Sequence, residues 1–437
     1  MTGQRCEQDD ATGRCPENGP VGNACQPPAL AAVTVATSAA RPATRTWLPP
    51  VPVRVLATRD LGDILLAYRQ ANQMTQQQLA DLLGYDRTYI SMIECGRRAI
   101  ADRGTLTRLA RKLGIPPHVL GVADPADADY TSMLQFGASA IRLAEVARHS
   151  GRAAEAVSEL WPLIVRLEAR IASGHREREV LLLLTQARVS FGVALGHLLP
   201  EERLATAAHW TGKALRLAQH LGDPPLHAYV LRMHGNELRK ARHPAAATIR
   251  LQQALGIGAN PEGEGPGLVL LARAAAEAGR ADLFDDVASR CLRLLDETQG
   301  DDTLFNAFTV REVRLRGLLA TGRIAAATAL AAQTPEAAGP PTPQWRVIER
   351  ITTANVLASV GDTAMAAGML SVAVSEAEAL RLPHQVQRVI HISRHSHALT
   401  RHTVGDQARI VLSRLRAELP ANAGTPEYVD PDRRSSA

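Results

Sequence analysis

Residues 75–98 read TQQQLADLLGYDRTYISMIECGRR, and their spacing predicts a helix, a tight turn and a second helix. Thr75 is a good N-cap, and Gln78 three positions on completes a capping box. Leu79, Ala80, Leu82 and Leu83 supply the apolar side of the first helix. Gly84 stands where the turn needs a residue that tolerates positive φ. Asp86 can cap the second helix. In that helix Ile90 and Ile93 point one way, and Thr88, Ser91, Met92 and Cys95 point roughly the other, with Arg87 on the flank. Gly96 ends it, and Arg97 and Arg98 follow.

This layout is a helix-turn-helix, in which the first helix braces and the second is presented outward. The outward face carries short polar side chains, one Arg and a Met, rather than the Glu and Lys of an ordinary solvated surface. Small residues there allow close approach to a DNA major groove. Two helices joined by a Gly turn also occur in proteins that never touch DNA, so spacing alone leaves both readings open.

Apolar positions on either side extend the unit. Leu61, Ile64, Leu65 and Tyr68 line one face of a helix over about Asp60–Asn72. Leu106, Leu109, Ala110 and Leu113 do the same over about Thr105–Leu113, which Gly114 and Pro116-Pro117 stop. A short helical turn over His118–Gly121 closes the unit. Between residues 59 and 113, nine basic residues face six acidic ones, which agrees with a phosphate-facing surface without establishing one.

Asp60–Val122 resembles the five-helix DNA-binding domain of the Cro and phage-repressor type, the Xre-like regulators. The matching parts occur in order: TQQQLA, the Leu83-Gly84 turn, YISMIECGRR and LTRLARKLGIPP. The resemblance covers about a seventh of the chain. It implies that Arg87, Thr88 and Met92 read base edges with help from Ser91, and that Thr75, Gln76, Tyr89, Arg97 and Arg98 lie along the DNA backbone. Cys95 and Met92 depart from the family's usual polar or basic residues, which puts the DNA sequence read in doubt rather than the fold.

The chain has 437 residues, too many for one compact core, so two or more domains are expected. Residues 1–53, rich in Pro, Ala, Thr and Gly, read as a disordered tail, or as sequence upstream of the true start. Cys6, Cys15 and Cys25 in it match no zinc spacing. The helix-turn-helix domain is placed at 54–122, an acidic linker at 123–129, a helical array at 130–419 and a second tail at 420–437. No signal peptide and no membrane-spanning run are read, and five scattered cysteines fit a reducing cytoplasm.

From Tyr130 to Leu419 almost everything reads as helix. Short junctions recur at Ser150-Gly151-Arg152, Leu199-Pro200, His243-Pro244, Gly279-Arg280, Gly322-Arg323 and Gly361-Asp362, with a period of roughly 36–49 residues. That predicts about six stacked helical hairpins, with Asn260–Gly267 and Thr334–Pro343 as loops between them. The array resembles a degenerate tetratricopeptide solenoid, although its period exceeds the family's about 34 residues. The expected fold class is therefore all-α: a five-helix Cro/repressor-like domain, then a tetratricopeptide-like solenoid of helical hairpins.

The concave face of such a stack binds peptides or protein segments. Polar residues in the first helices of hairpins are the candidates: Arg232, Asn236, Arg239, Asn306, Arg311 and Asn355. Each has a competing reading as a solvated or packing residue. His391 and His395, one turn apart, could share a metal, but the neighbouring Arg388, Arg394 and Arg401 oppose a cation, so no metal or other cofactor is expected. Cys95 is either a redox switch or silent. No phosphate-cradling Gly loop, G-x-S-x-G or H-E-x-x-H occurs, and no enzyme is read.

A helix-turn-helix domain followed by such an array resembles bacterial regulators that sense signalling peptides. The resemblance implies a cytoplasmic homodimer that binds double-stranded DNA, with an array that dimerises and senses a peptide or other ligand. The alternatives are an interaction scaffold whose array captures a partner protein, and a phage-type repressor or antitoxin whose array has no ligand.

Overall fold

The computed structural model describes residues 60–419, apart from positions 116, 123–126, 173, 176, 258–260, 299–303, 334–341, 397–398 and 400–401. Cys6, Cys15, Cys25, His397, both proposed tails and most of the loop expected at Thr334–Pro343 lie outside the described residues. Among the described residues the regular structure is entirely helical.

Local chemistry places the first four helices where the sequence puts them, to within a residue or two. They are α1 (Leu61–Ala71), α2 (Gln76–Leu83), α3 (Arg87–Glu94) and α4 (Arg103–Leu113). Asp60, Thr75, Asp86 and Asp102 each cap the following helix by accepting a backbone N–H three residues on. Gly84 and Gly114 end α2 and α4 in the left-handed conformation. A 3₁₀ turn, Pro117–Leu120, closes the unit. Ile64, Leu65, Leu79, Leu83, Ile90, Ile93, Leu109 and Leu113 are its buried core.

Among the described residues fourteen α-helices follow, and they pair as antiparallel hairpins. The pairs are α5 (Ala128–His149) with α6 (Ala153–Ala172), α7 (Arg178–Leu198) with α8 (Leu204–Ala218), and α9 (Pro224–Lys240) with α10 (Pro244–Gly256). Next come α11 (Pro261–Glu277) with α12 (Ala281–Thr298), α13 (Ala307–Ala320) with α14 (Ile324–Ala331), and α15 (Pro343–Ser359) with α16 (Thr363–Ala379). A seventh pair, α17 (Pro383–His395) with α18 (Val404–Ala417), extends the six expected. Its turn, between His395 and Val404, carries neither the Gly nor the Pro that marks the other six; Arg381, at φ 52°, makes the turn into α17.

All six expected junctions are the turns inside hairpins. Gly151, Gly279, Gly322 and Gly361 take positive φ there, and Arg242, at φ 65°, occupies the same position before α10. Two boundaries differ from expectation. Ala128 and Asp129, assigned to the linker, already belong to α5, because Asp127 caps it through Tyr130 N–H. Residues 261–267, assigned to a loop, form the first turns of α11, since Pro261 sits at a helix start where its missing N–H costs nothing.

The core runs along the stack as successive clusters, beginning with α5–α8 and continuing through α10–α13 to α15–α18. Helix α7 holds no unbroken apolar run, since Gln186 and Arg188 interrupt it, yet it is long and apolar enough overall to cross a membrane. That is by length and composition only: 72% of its apolar window is buried within the stack, as befits a central core helix. Small residues let paired helices approach. At Gly192 on α7, a Cβ would lie 2.7 Å from Thr211 Cγ2 and 3.0 Å from the Ala207 carbonyl oxygen on α8.

Candidate nucleic-acid interface and ligand cavity

Helix α3 is anchored through its apolar side. Ile90 and Ile93 are fully buried, while Arg87 and Thr88 in its first turn are exposed and Ser91 and Met92 are half-buried. The four residues expected to read bases thus share the outward side of one helix. The capping box forms as expected: Thr75 Oγ1 accepts from Gln78 N–H at 3.2 Å, and Gln78 Oε1 accepts from Thr75 N–H at 2.8 Å. Tyr89 stacks on Tyr85 at 4.8 Å, and Arg98 lies 4.9 Å over the Tyr89 ring. Arg97 is exposed beyond Gly96.

Tertiary contacts thin out the basic surface. Arg69 donates to Glu94 through Nε at 2.9 Å and Nη2 at 3.1 Å. Lys112 Nζ donates to the Leu83 carbonyl at the C-terminus of α2. Arg103 reaches towards Glu179 on α7 at 3.6 Å. Among the described residues of α3 and its C-terminal turn, the cations without an ion pair are Arg87, Arg97 and Arg98.

Glu94 is a positioning residue of the candidate interface that the sequence reading missed. It also accepts from Gln76 Nε2 at 2.8 Å, so one carboxylate ties α1 and the start of α2 to the end of α3. Gln76, expected at a phosphate, is therefore a positioning residue as well. Burial pushes the Glu94 carboxyl up, but hydrogen bonds from Arg69 and Gln76, with the Arg69 charge, outweigh it and leave the pKa below the ordinary 4.5. A depressed carboxyl stabilises the fold above its unfolded-state pKa, and that contribution is lost as pH falls through the folded-state value. Glu94→Gln is expected to cost about 2 kcal/mol at neutral pH. Unfolding curves for both proteins from roughly pH 7 down to pH 3 should converge as the carboxylate of the wild type is protonated. A constant gap across that range would show that the Glu94 charge is not what holds the three helices.

The array encloses a cavity of about 300 Å³ lined from α5, α7, α9, α11, α15 and α17. It brings together three of the six residues expected to bind ligand: Arg232, Asn236 and Arg239. Arg232 donates to the Gly263 carbonyl at 3.0 Å and lies 5.5 Å over the Tyr229 ring. Arg239 Nη1 donates to Glu277 at 2.9 Å, and its Nη2 donates to Asn236 Oδ1 at 3.0 Å. The other three lie elsewhere. Asn306 caps α13 by accepting from Thr309 N–H. Arg311 donates to Glu349 and to the carbonyls of Leu330, Ala331 and Gln333. Asn355 is half-buried on α15, outside the cavity lining.

Sequence reading also missed Arg273 and Trp345, which face each other in the cavity wall with the guanidinium carbon 5.2 Å from the ring centroid. Arg273 sits in an Ala-rich run, where nothing marks it as different from a surface arginine. Charge is concentrated around this cavity. Burial pushes Glu277 up, yet the charges of Arg239, Arg316 and Arg273 hold it down at about 2. Burial also pushes the Arg148 and Arg273 guanidiniums below the usual range, Arg273 well below it. His391 is tied to Glu201 at 2.9 Å, and no cluster of three or more metal-ligating side chains forms among the described residues.

Comparisons with known proteins bear on the first domain. Residues 65–120 match the family model described as Helix-turn-helix. Comparison with curated proteins gives no match. Among solved structures, the chain is similar to PlcR of Bacillus thuringiensis, in a crystal structure with the peptide PapR7 and DNA. The identity is 17%, the match covers 62% of this chain and 94% of that one, and the TM-score is 0.32. Residues 65–120, with the buried Ile90–Ile93 side and the capped turn, thus carry a match to the helix-turn-helix family model.

Proposed function

We propose that this chain is a sequence-specific regulator of transcription that works as a cytoplasmic homodimer, with residues 54–122 binding DNA and residues 130–419 dimerising and sensing a ligand. The observation that carries the reading is the exposed first turn of α3. Arg87 and Thr88 project from a helix whose opposite side is locked into the core by Ile90 and Ile93. Ser91 and Met92 extend the base-reading face, and Thr75, Gln76, Tyr89, Arg97 and Arg98 flank it along the backbone. One helix-turn-helix buries little DNA surface, so a pair reading two half-sites about 34 Å apart is the natural operator-binding unit. Phe136, Leu143 and Val146 are exposed and fall on one side of α5, an apolar stripe suited to a second copy.

Selection from a random duplex pool with the full-length protein at near-physiological salt tests this. An inverted repeat is the expected product; recovery of no motif, with only salt-sensitive background, would favour the scaffold reading. Arg87→Ala and Thr88→Ala are expected to relax base preference by about 1–3 kcal/mol at one position each. Arg97→Ala is expected to weaken all sequences alike and to lower the salt slope by about 0.9. Gln76→Ala is expected to act uniformly too, through the loosened Glu94. If both groups of variants behave identically, α3 is not the reading helix.

A further inference from the structure

Resting on the reading of the array as a ligand sensor, we propose that its cavity is an anion site, in which Arg273 receives the carboxylate or phosphate head of a small ligand with an apolar body. Arg273 is only 7% exposed, and its Nε is buried with no hydrogen-bond partner. Among the described residues its guanidinium has no hydrogen bond and no ion pair; its one close partner is the Trp345 ring. A guanidinium held over an indole is held through its charge, so its Nη donors stay free for a bidentate acceptor. Leaving such a charge buried and uncompensated is costly, which points to a partner that arrives from outside the chain.

Nearby carboxylates each have another partner on one oxygen, while Oε2 of Glu237 and of Glu312 is buried with no hydrogen-bond partner. Glu277 serves Arg239 and Arg316, each at 2.9 Å, and Glu237 serves Lys240 at 2.8 Å. Glu312 accepts from Thr352 at 2.9 Å. Five cationic side chains line the cavity (Arg148, Arg232, Arg239, Lys240 and Arg273) against the single carboxylate of Glu145. Counting Glu237 and Glu277 behind the wall still leaves an excess of positive charge. Leu270, Ile348 and Trp345 supply the apolar part of the lining, where the body of the ligand would sit. A volume of about 300 Å³ suits a small molecule or the terminal residues of a peptide.

The test uses full-length protein and three probes: inorganic phosphate, N-acetyl-leucine and N-acetyl-leucinamide, with chloride holding the ionic strength constant. The amide has the same body as the acid without its charge. A saturable rise of about 2 °C or more in the unfolding midpoint is expected with phosphate or the acid and not with the amide. Phosphate alone responding assigns a phosphate head, and the acid alone assigns a carboxylate. Arg273→Gln is expected to be at least as stable as the wild type without anion and to lose the response. Arg273→Lys keeps the charge but not the fork, and should bind at least about tenfold more weakly. Equal responses to acid and amide, no response to either anion, a response that survives in Arg273→Gln, or a midpoint that falls by several degrees in that variant would each overturn the proposal. DNA affinity measured with and without bound anion separates the two readings. A bound anion that leaves DNA affinity unchanged keeps the site and removes the sensing role. Failure of anion binding removes the site and leaves operator binding standing.

Discussion

Replacing Arg170 with methionine is expected to destabilise the protein by about 3–5 kcal/mol, the usual cost of breaking a buried ion pair from one side. Arg170 lies near the end of α6 with a side chain only 6% exposed. Its Nη2 is 2.6 Å from Glu177 Oε1 and 2.8 Å from Asp127 Oδ2, and its guanidinium lies 5.1 Å over the Tyr130 ring. Asp127 caps α5, and Glu177 stands just before α7, so one side chain joins three helix ends. Removing it leaves the fully buried Glu177 the His175 Nδ1 contact at 3.0 Å and its own backbone N–H.

Burial pushes Glu177 up, but the hydrogen bonds of His175 and Arg170 hold it below the usual carboxylate range. Without Arg170 its pKa rises, and the variant should lose most stability near neutral pH and less in acid, where Glu177 can take a proton. Chemical denaturation of Arg170→Met, Glu177→Gln and the double variant checks the argument. The double variant should recover at least about 1 kcal/mol relative to the sum of the singles, because the stranded carboxylate is gone. Simple additivity would show that the two groups do not depend on each other. The effect should reach the DNA-binding domain, since His118 stacks on His175 at 4.0 Å. Faster amide exchange in the Pro117–Leu120 turn would report it.

Gly62→Ala is the second large effect, and here two opposing magnitudes compete. Alanine is favoured over glycine within a helix by about 1 kcal/mol. Against that, a Cβ at position 62 would sit well inside the van der Waals contact distance to the Ile93 carbonyl oxygen and 3.1 Å from the Glu94 Cα. Both are backbone atoms of α3, so no side chain can swing aside and the two helices must part. Overpacking of this kind costs about 3 kcal/mol, and the net loss should be about 2 kcal/mol. The displaced element is α3 itself, so an equal penalty on DNA binding would lower affinity about 30-fold. Gly104→Ala is the control. Its Cβ would meet only the exposed Asp102 carboxylate at 3.5 Å, and it should be neutral or stabilising by up to about 1 kcal/mol. If Gly62→Ala were as well tolerated as Gly104→Ala, the close crossing of α1 and α3 would not limit the domain.

The sequence by itself determined what depends on near neighbours. Helix starts follow from side chains that reach a backbone N–H three residues away, as at Thr75 and Asp86. Turns follow from glycines that alone enter the left-handed region without strain, as at Gly84, Gly151, Gly279, Gly322 and Gly361. Periodicity placed Ile90 and Ile93 on the hidden side of α3, and with them the exposure of Arg87 and Thr88. These interactions span three or four residues, so the order of residues suffices to read them.

Tertiary structure alone decided which polar residues are spent on the fold and which remain free. Gln76 reads as a phosphate contact until Glu94, 18 residues away, is seen to engage it together with Arg69. Arg239, Asn306 and Arg311 read as ligand contacts, yet Arg239 is paired with Glu277, Asn306 caps a helix and Arg311 is bonded to four partners. Arg273, unremarkable in its alanine-rich run, lies in a cavity wall over the Trp345 ring of α15, with no ion pair among the described residues. An arginine's chemistry is the same in every sequence context. Whether it is neutralised depends on groups that folding brings from tens of residues away, and no local pattern records them.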